Sequence, residues 1–288
     1  MKRYLKSIIL ISVLSLLFNT SFAQQAFVIY NKKGEVASVQ DIIKDTQGKS
    51  HVFFGEFHNN PISHWVRMKL IGEFYEIQGK NLVIGAEMFE ADNQILLDEY
   101  LKDIIQQNNF ESEARTWTNY KTDYKPMVEF AKKNELSFIA TNIPRRYANI
   151  VYHKGLEILN QLSPEAHNFM APLPIVVDTT LSTYRDIKKM AGGHGGDNLV
   201  YSQAVKDATM AHFILKNSPA NSLFFHVNGS YHSDKYQGII SFLKSAVPLN
   251  KILTITTVSQ KDVNKLEEKN KILADYIICV DAQMTTTH

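Results

Sequence analysis

Carboxylate and imidazole side chains stand at the points where several apolar segments of this sequence end. Glu56 and His58 follow one such segment, Glu87 ends a second, and His232 follows a later one. At the carboxyl edge of a parallel sheet, side chains from separate strands meet in one place. Mixed nitrogen and oxygen donors suit Fe, Mn or Zn, and a metal-activated water beside a carboxylate suits hydrolysis. These four residues therefore form the first candidate site, as a metal centre or as a catalytic site.

Each of these residues also has a purely structural interpretation. Glu56 and His58 fit an ordinary polar strand end, and His232 fits a surface histidine in a turn. Glu87 is the sharper signal, because a carboxylate inside so apolar a segment is costly to bury unless it is paired or ligated. The spacing of the residues leaves both interpretations open.

Further polar residues belong to the same predicted edge. Arg145–Arg146 could bind a carboxylate or a phosphate bidentately, and a solvated pair is the alternative. Gln203 and Asp207 share a helix face, and an ordinary pairing on the helix surface is the alternative for them. The predicted supporting residues are His64, Asn142, Gln203 and Asp207.

Short β-branched and aromatic segments alternate with helical patterns along the chain. The segments are continuously apolar, as in a sheet that helices cover on both faces. Asn60 and Pro61 are placed to begin a helix whose apolar face includes Val66 and Leu70, and Asp92 is placed to cap the next one. The alternation predicts an α/β fold with a mainly parallel sheet flanked by helices. The predicted strands are 27–30, 52–55, 82–87, 136–141, 223–228, 252–258 and 276–281.

Two segments interrupt this alternation and are predicted to form a helical or irregular cap over the sheet edge. The first runs from about residue 106 to 126 and contains Trp117. The second runs from about 147 to 198 and contains three prolines and a Gly-Gly-His-Gly-Gly motif. Apart from the leader, residues 24–288 are predicted to form one domain with these insertions.

The first 23 residues have the three parts of a secretory signal peptide. A basic start precedes an apolar run of 11 residues and small residues at Ser21 and Ala23. The run is shorter than the roughly 20 residues that cross a bilayer, so no transmembrane anchor is predicted in the mature chain. Cleavage near Ala23 and a periplasmic or secreted location follow from this prediction.

Charge and cysteine content exclude several classes of protein. The leader carries three basic and no acidic residues, which leaves 28 basic against 29 acidic residues in the mature chain. Without a net positive field, nucleic-acid binding is not predicted. The single cysteine, Cys279, excludes an intramolecular disulfide and a thiolate metal cluster.

Five motifs, in order between about Phe53 and Ile255, resemble those of the ChaN family of haem-binding uptake proteins. That family is related to the Tiki metalloproteases and to the erythromycin esterases. The motifs are Gly55–His58, Glu87–Phe89 with Asn93 and Gln94, Ala140–Tyr147, Gln203 with Asp207–Ala211, and Asn228–His232. In the wider superfamily, two G-x-x-H motifs and a Glu build the active site. The matching positions are Gly55 with His58, Gly229 with His232, and Glu87, with Glu56 alongside.

The resemblance implies a haem-binding protein in which a tyrosine binds the iron and a histidine comes from the partner subunit of a homodimer. The second insertion offers Tyr152 first and Tyr147 next as this tyrosine, with His167 nearby. Arg145 or Arg146 would pair with a haem propionate. This sequence lacks the acylated cysteine of the lipoprotein members of the family.

Two functions are consistent with these observations. The first is an exported haem or iron carrier of haem or iron uptake, with haem under the cap and no turnover. The second is a metal-dependent hydrolase, a peptidase or an esterase, that uses the four strand-end residues with a divalent metal ion. The sequence favours haem binding, because the tyrosine-rich insertion and the resemblance both point to it. Whether the chain is an enzyme stays open.

Overall fold

The computed structural model describes residues 25–192 and 194–287. The predicted signal peptide lies outside these residues, and its separation from one mature domain stays a prediction. Within the described ranges, no helix is both long enough and apolar enough to cross a membrane.

One mixed sheet organises the described residues. Its strands are β1 Phe27–Asn31, β2 Val36–Ala37, β3 His51–Glu56, β4 Leu82–Glu90, β5 Ser137–Asn142, β6 Leu223–Gly229, β7 Ile252–Gln260 and β8 Tyr276–Asp281. They lie in the order β2-β1-β8-β7-β3-β6-β4-β5. The six strands from β8 to β5 pair in parallel, whereas β1 pairs antiparallel with β8 and with β2. The predicted α/β fold with a mainly parallel sheet is confirmed.

Both faces of the sheet are covered by helices, which explains why its strands are continuously apolar. Successive residues of a strand face opposite sides. On β3, Phe54 joins the core that contains Leu70, and Phe53 joins the opposite core that contains Met210 and Ile214. Each predicted strand overlaps an observed strand, and the two-residue β2 is the one that the pattern missed.

Ten α-helices lie among the described residues. They are α1 Val39–Asp45, α2 Pro61–Gln78, α3 Gln94–Leu101, α4 Gln107–Glu113, α5 Lys125–Lys133, α6 Arg145–Lys154, α7 Pro164–His167, α8 Ser182–Met190, α9 Gly196–Lys216 and α10 Ile239–Leu243. α2 begins as predicted, because Pro61 is its first residue and the Asn60 side chain accepts a hydrogen bond from the Ser63 N–H. The prediction that Asp92 caps the next helix is wrong. α3 begins at Gln94, and the Asp92 carboxylate binds two arginines instead.

The two segments predicted as insertions lie beside the carboxyl edge of the sheet. The first contains α4 and a π-helical turn, Tyr120–Tyr124, that reaches Glu56 through Tyr124. The second contains most of α6 together with α7 and α8, and it reaches α9 through the bond from Tyr184 to Asp207. Both segments therefore contribute side chains to the region of the candidate site.

Candidate functional site

The four strand-end residues lie together at the carboxyl edge of the sheet. Glu56 and His58 come from the end of β3, Glu87 from β4 and His232 from the turn after β6. Gly229 lies between them, since a β carbon there would stand 2.7 Å from His58 Nε2 and 3.6 Å from Glu87 Oε2. Only a residue without a side chain allows the backbone to approach His58 and Glu87 this closely. The structure therefore brings the four residues together where their spacing predicts.

Glu56 is fully buried and paired with an arginine of α2. Arg67 Nη1 donates to Glu56 Oε2 at 2.5 Å, and the Tyr124 hydroxyl donates to Oε1 at 2.9 Å. Burial alone would raise the pKa of Glu56, but the Arg67 charge and the His58 hydrogen bond hold it well below its usual range. Glu56 is therefore a carboxylate that its neighbours hold in one position.

His58 is the member of the group that reaches the surface, with 33% of its side chain exposed. Its Nδ1 lies 3.3 Å from Glu56 Oε1, and its ring packs edge-on against Trp117 with centroids 4.7 Å apart. Burial lowers the pKa of His58, but the bond to Glu56 and the charge of Glu87 raise it overall. The other ring nitrogen, Nε2, lies against Gly229.

Glu87, His232 and Asp207 form a second buried group. His232 Nδ1 lies 2.5 Å from Asp207 Oδ1, and its Nε2 lies 3.3 Å from Glu87 Oε1. The Gly229 N–H donates to Glu87 Oε2 at 2.8 Å, and the Tyr184 hydroxyl donates to Asp207 Oδ2 at 2.7 Å. Burial opposes protonation, but the two carboxylates raise the pKa of His232 to about 10. His232 is therefore an imidazolium between two carboxylates.

A metal centre is not present in this arrangement. Among residues 25–192 and 194–287, no group of three or more His, Cys, Asp or Glu side chains is placed to hold a metal ion. The metal site predicted from the four strand-end residues is therefore not found. The physical reason is that Arg67 and Tyr124 engage the two carboxylate oxygens of Glu56, and both ring nitrogens of His232 lie against carboxylates.

The predicted supporting residues lie in different environments. His64 is buried between two carboxylates, and its nitrogens lie 3.6 and 3.4 Å from their oxygens, too far for good hydrogen bonds. Asn142 is buried at the end of β5, and its Oδ1 has no hydrogen-bond partner among the described residues. Gln203 is half-buried one turn before Asp207. Asp207 is the one of the four that joins the His232 network directly.

A cavity of about 850 Å³ lies outside this buried network. His58 belongs to its wall, whereas the other three strand-end residues lie behind it. Trp117 and Ile150 offer apolar area, and Arg115, Arg145 and Arg146 offer positive charge. The α6 residues of the wall are spaced so that they lie on one face of that helix.

The arginines of the cavity differ in their pairing. Arg115 Nε donates to Glu90 Oε2 at 2.9 Å, and its Nη2 pairs with Asp92. Arg146 Nη1 donates to the other oxygen of Asp92 at 2.6 Å. Arg145 is exposed, and no acidic side chain in the described part of the chain pairs with it. Arg145 is therefore the cation that is available to an anionic ligand.

Tyr152 lies farther along α6 and is not among the residues that line the cavity. It follows Arg145 by seven residues, which is two helical turns and returns to the same face. A β carbon at Gly195, whose φ is +79°, would lie 2.9 Å from the Tyr152 hydroxyl oxygen, so the glycine-rich segment makes room for this ring. Within the described residues, the Tyr152 hydroxyl has no hydrogen-bond partner.

Tyr147 and His167, the other predicted haem ligands, are engaged elsewhere. Tyr147 packs against the apolar cluster that contains Val151, and its hydroxyl accepts a hydrogen bond from Arg146 at 3.2 Å. His167 Nε2 lies 2.9 Å from the carbonyl oxygen of Leu159. Tyr147 and His167 therefore already have protein partners, whereas the Tyr152 hydroxyl has none among the described residues.

Sequence reasoning missed the partners that hold the buried network. Arg67 carries a recognisable signal, because it lies next to Val66 and three residues before Leu70 on the apolar side of α2. A charged residue at such a position indicates a buried counter-charge. Tyr124 and Tyr184 carry no such signal, because their contacts join segments that are distant in the chain.

Known proteins resemble this chain in sequence motif and in fold. The model of a family described as haem-binding uptake, Tiki superfamily, ChaN matches residues 42–243. The structure of ChaN of Campylobacter jejuni with cofacial haem matches 88% of this chain and 96% of that chain, with 19% identity and a TM-score of 0.64. A mutant of the erythromycin esterase EreC in its open conformation matches 92% of this chain and 99% of that chain, with 11% identity and a TM-score of 0.54. No curated protein sequence matches at a significant level.

Proposed function

Since this chain belongs to the ChaN family of haem-binding uptake proteins in the Tiki superfamily, as its motifs predict, we propose that it binds haem and serves haem or iron uptake. The observation that carries this proposal is the surface along α6. It is basic at Arg145 and apolar at Ile150, and Tyr152, whose hydroxyl has no partner among the described residues, lies two helical turns beyond Arg145. A broad, mostly apolar ligand with two carboxylates and a metal centre needs positive charge, apolar area and a ligand oxygen.

The basic end of the cavity suits the haem propionates. Arg145 opens α6, where the helix dipole adds positive potential, and a guanidinium binds a carboxylate bidentately. Arg146 already forms an ion pair with Asp92. We therefore assign the main propionate contact to Arg145 and a weaker one to Arg146.

The other end of the same helix face suits the iron. Seven residues of helix span about 10 Å, comparable to the reach from the propionates of haem to the centre of its ring. Bound haem would supply an iron that accepts an axial oxygen or nitrogen ligand, and Tyr152 would provide a phenolate. Tyr147 is the second choice, because its ring packs into the apolar cluster of the insertion. His167 ranks after both, because one of its ring nitrogens is engaged by a carbonyl oxygen.

Location and assembly belong to the same proposal. The leader-like start supports export, cleavage near Ala23 and a periplasmic or secreted location. The cavity is open on one side, so a second copy of the chain would cover the exposed face of a bound haem. We therefore include a homodimer in the proposal.

Titration of the mature chain with haemin tests haem binding directly. A saturable change in the visible spectrum is expected, with the charge-transfer band of a ferric tyrosinate complex. Tyr152→Phe keeps the ring and should abolish the band, whereas Tyr147→Phe is the matched control and should retain it. A parent chain that produces no saturable spectral change would overturn the proposal.

Hydrolysis, by a peptidase or an esterase, is the second candidate, because Glu56 orients an imidazole, His58, that reaches the cavity. Glu56 engages Nδ1 of His58, and the His58 ring is 33% exposed in the wall of the cavity. His58 could then act as a general base toward water. Hydrolysis of p-nitrophenyl acetate should be faster with the parent than with His58→Gln. Equal rates would remove this candidate.

A further inference from the structure

Residues 282–287 follow the last strand, and Thr287 in this segment binds two loops at the edge of the cavity. The Thr287 N–H donates to the carbonyl oxygen of Asn59 at 2.9 Å, and the Thr287 hydroxyl donates to Asp123 Oδ2 at 2.7 Å. Asn59 belongs to the loop between β3 and α2, whereas Asp123 belongs to the turn before α5. This segment therefore connects two loops that are distant in the sequence.

Asp123 links the segment to the backbone of His58. Asn119 Nδ2 donates both to Asp123 Oδ2 at 2.7 Å and to the His58 carbonyl oxygen at 2.9 Å. The Asp123 carbonyl oxygen accepts a hydrogen bond from Arg67. Asp123 is only 3% exposed, so its carboxylate depends on protein donors rather than on water. Removing one donor from a buried charged acceptor is costly.

The same two loops carry one wall of the cavity. His58 follows β3, and Trp117 and Asn119 precede the turn that contains Asp123. The Trp117 ring lies edge-on to His58 with centroids 4.7 Å apart and edge-on to Tyr124 with centroids 5.8 Å apart. The relative position of His58 and Trp117 therefore depends on the bonds that hold these loops together.

We propose that residues 282–287 are a strap that positions His58 and Trp117, with Thr287 as the positioning residue and Asp123 as the group through which it acts. The strap orders the cavity wall before a ligand arrives, which lowers the entropy lost on binding. The expected effect of the strap on haem affinity rests on the proposed function. The expected effect of the strap on the two loops is independent of that function.

Three variants isolate the Thr287 hydroxyl. Thr287→Val removes the hydroxyl and keeps the shape, whereas Thr287→Ser keeps the hydroxyl. Thr285→Val is the matched control, because Thr285 is exposed and has no hydrogen-bond partner among the described residues. A Trp65→Phe background leaves Trp117 as the sole tryptophan.

Amide hydrogen exchange and fluorescence measure the position of the loops without a ligand. Thr287→Val should speed exchange in segments 57–64 and 115–124 by about tenfold, as the loss of one hydrogen bond to a charged acceptor implies. Acrylamide should also quench Trp117 more strongly in this variant. Thr287→Ser and Thr285→Val should behave like the parent. Exchange in β6 should be unchanged in all variants, because the strap acts locally.

Parent-like exchange and quenching in Thr287→Val would overturn the strap, whether or not haemin binds. A Thr287→Ser variant that fails to restore the parent values would overturn the role of the hydroxyl. Faster exchange in β6 as well would show a global loss of stability and would overturn the local role. Faster loop exchange in a chain that does not bind haemin would support the strap and contradict the proposed function. Where haemin binds, Thr287→Val should weaken it several-fold.

Discussion

The buried network at the strand ends and the cavity outside it use charge in opposite ways. Glu56 and His232 are buried and lie within contact distance of groups of opposite charge. Arg145, in the cavity, is exposed and has no acidic partner among the described residues. An unpaired buried charge is costly, whereas an unpaired exposed charge is hydrated and stays available to a ligand.

This contrast separates two kinds of contribution to the site. The network connects β3, β4 and β6 with α2 and α9, so it holds the carboxyl edge of the sheet in one geometry. The cavity offers positive charge at Arg145 and apolar area at Trp117 and Ile150. Changes in the network should therefore alter stability, and changes in the cavity should alter binding.

The largest expected effect is the loss of Arg67. Arg67→Met removes the counter-charge and leaves the buried Glu56 carboxylate unpaired, so the free energy of unfolding should fall by about 3–5 kcal/mol. Arg145→Met is the matched control in the cavity and should change that free energy by less than about 0.5 kcal/mol. Urea unfolding of both variants measures the difference. Equal destabilisation would contradict the division between network and cavity.

The second expected effect is a loss of stability at alkaline pH. The pKa of His232 is about 10 in the folded chain and about 6.5 in an unfolded chain. Its stabilising contribution is therefore complete below pH 6.5 and is lost as the pH rises toward 10. The loss should be on the order of a few kcal/mol.

His232→Gln removes this titration. The difference in the free energy of unfolding between the parent and the variant should therefore shrink from pH 6.5 to pH 10, as measured by urea unfolding at each pH. A difference that stays constant across this range would mean that His232 does not carry a proton between Glu87 and Asp207.

The smallest expected effect concerns propionate recognition in the cavity. Arg145→Ala should weaken haemin binding by about tenfold, the value of one charge-assisted hydrogen-bonded contact. Arg146→Ala should weaken haemin binding less, because Arg146 already forms an ion pair with Asp92. Spectral titration measures both affinities.

Haemin dimethyl ester, which has no carboxylates, provides the internal control. Its affinity should be the same for the parent and for Arg145→Ala. An Arg145→Ala variant that binds haemin like the parent, or that loses the ester as strongly as haemin, would assign the propionates to another group.

Much of the fold could be predicted because its main signal is local. Strands such as β6 and β8 are continuously apolar, and a sheet covered on both faces requires this pattern of each strand separately. The start of α2 was equally predictable from the sequence, because Asn60 and Pro61 act within the first turn of the helix. The failure at Asp92 has the opposite cause. Its carboxylate is drawn from the helix end by Arg115 and Arg146, which are distant in the chain.

The sequence by itself determined which residues stand at the carboxyl ends of the strands, because strand length and alternation with helices place Glu56, Glu87 and His232 there. Only the tertiary structure decided which partners and which charge states those residues have. Arg67 and Asp207 reach them across the fold, and at contact distance these partners set the charge of a buried group. The predicted metal ligands are consequently salt-bridged or protonated. Arg145, which no acid reaches in the described residues, keeps its charge for a ligand.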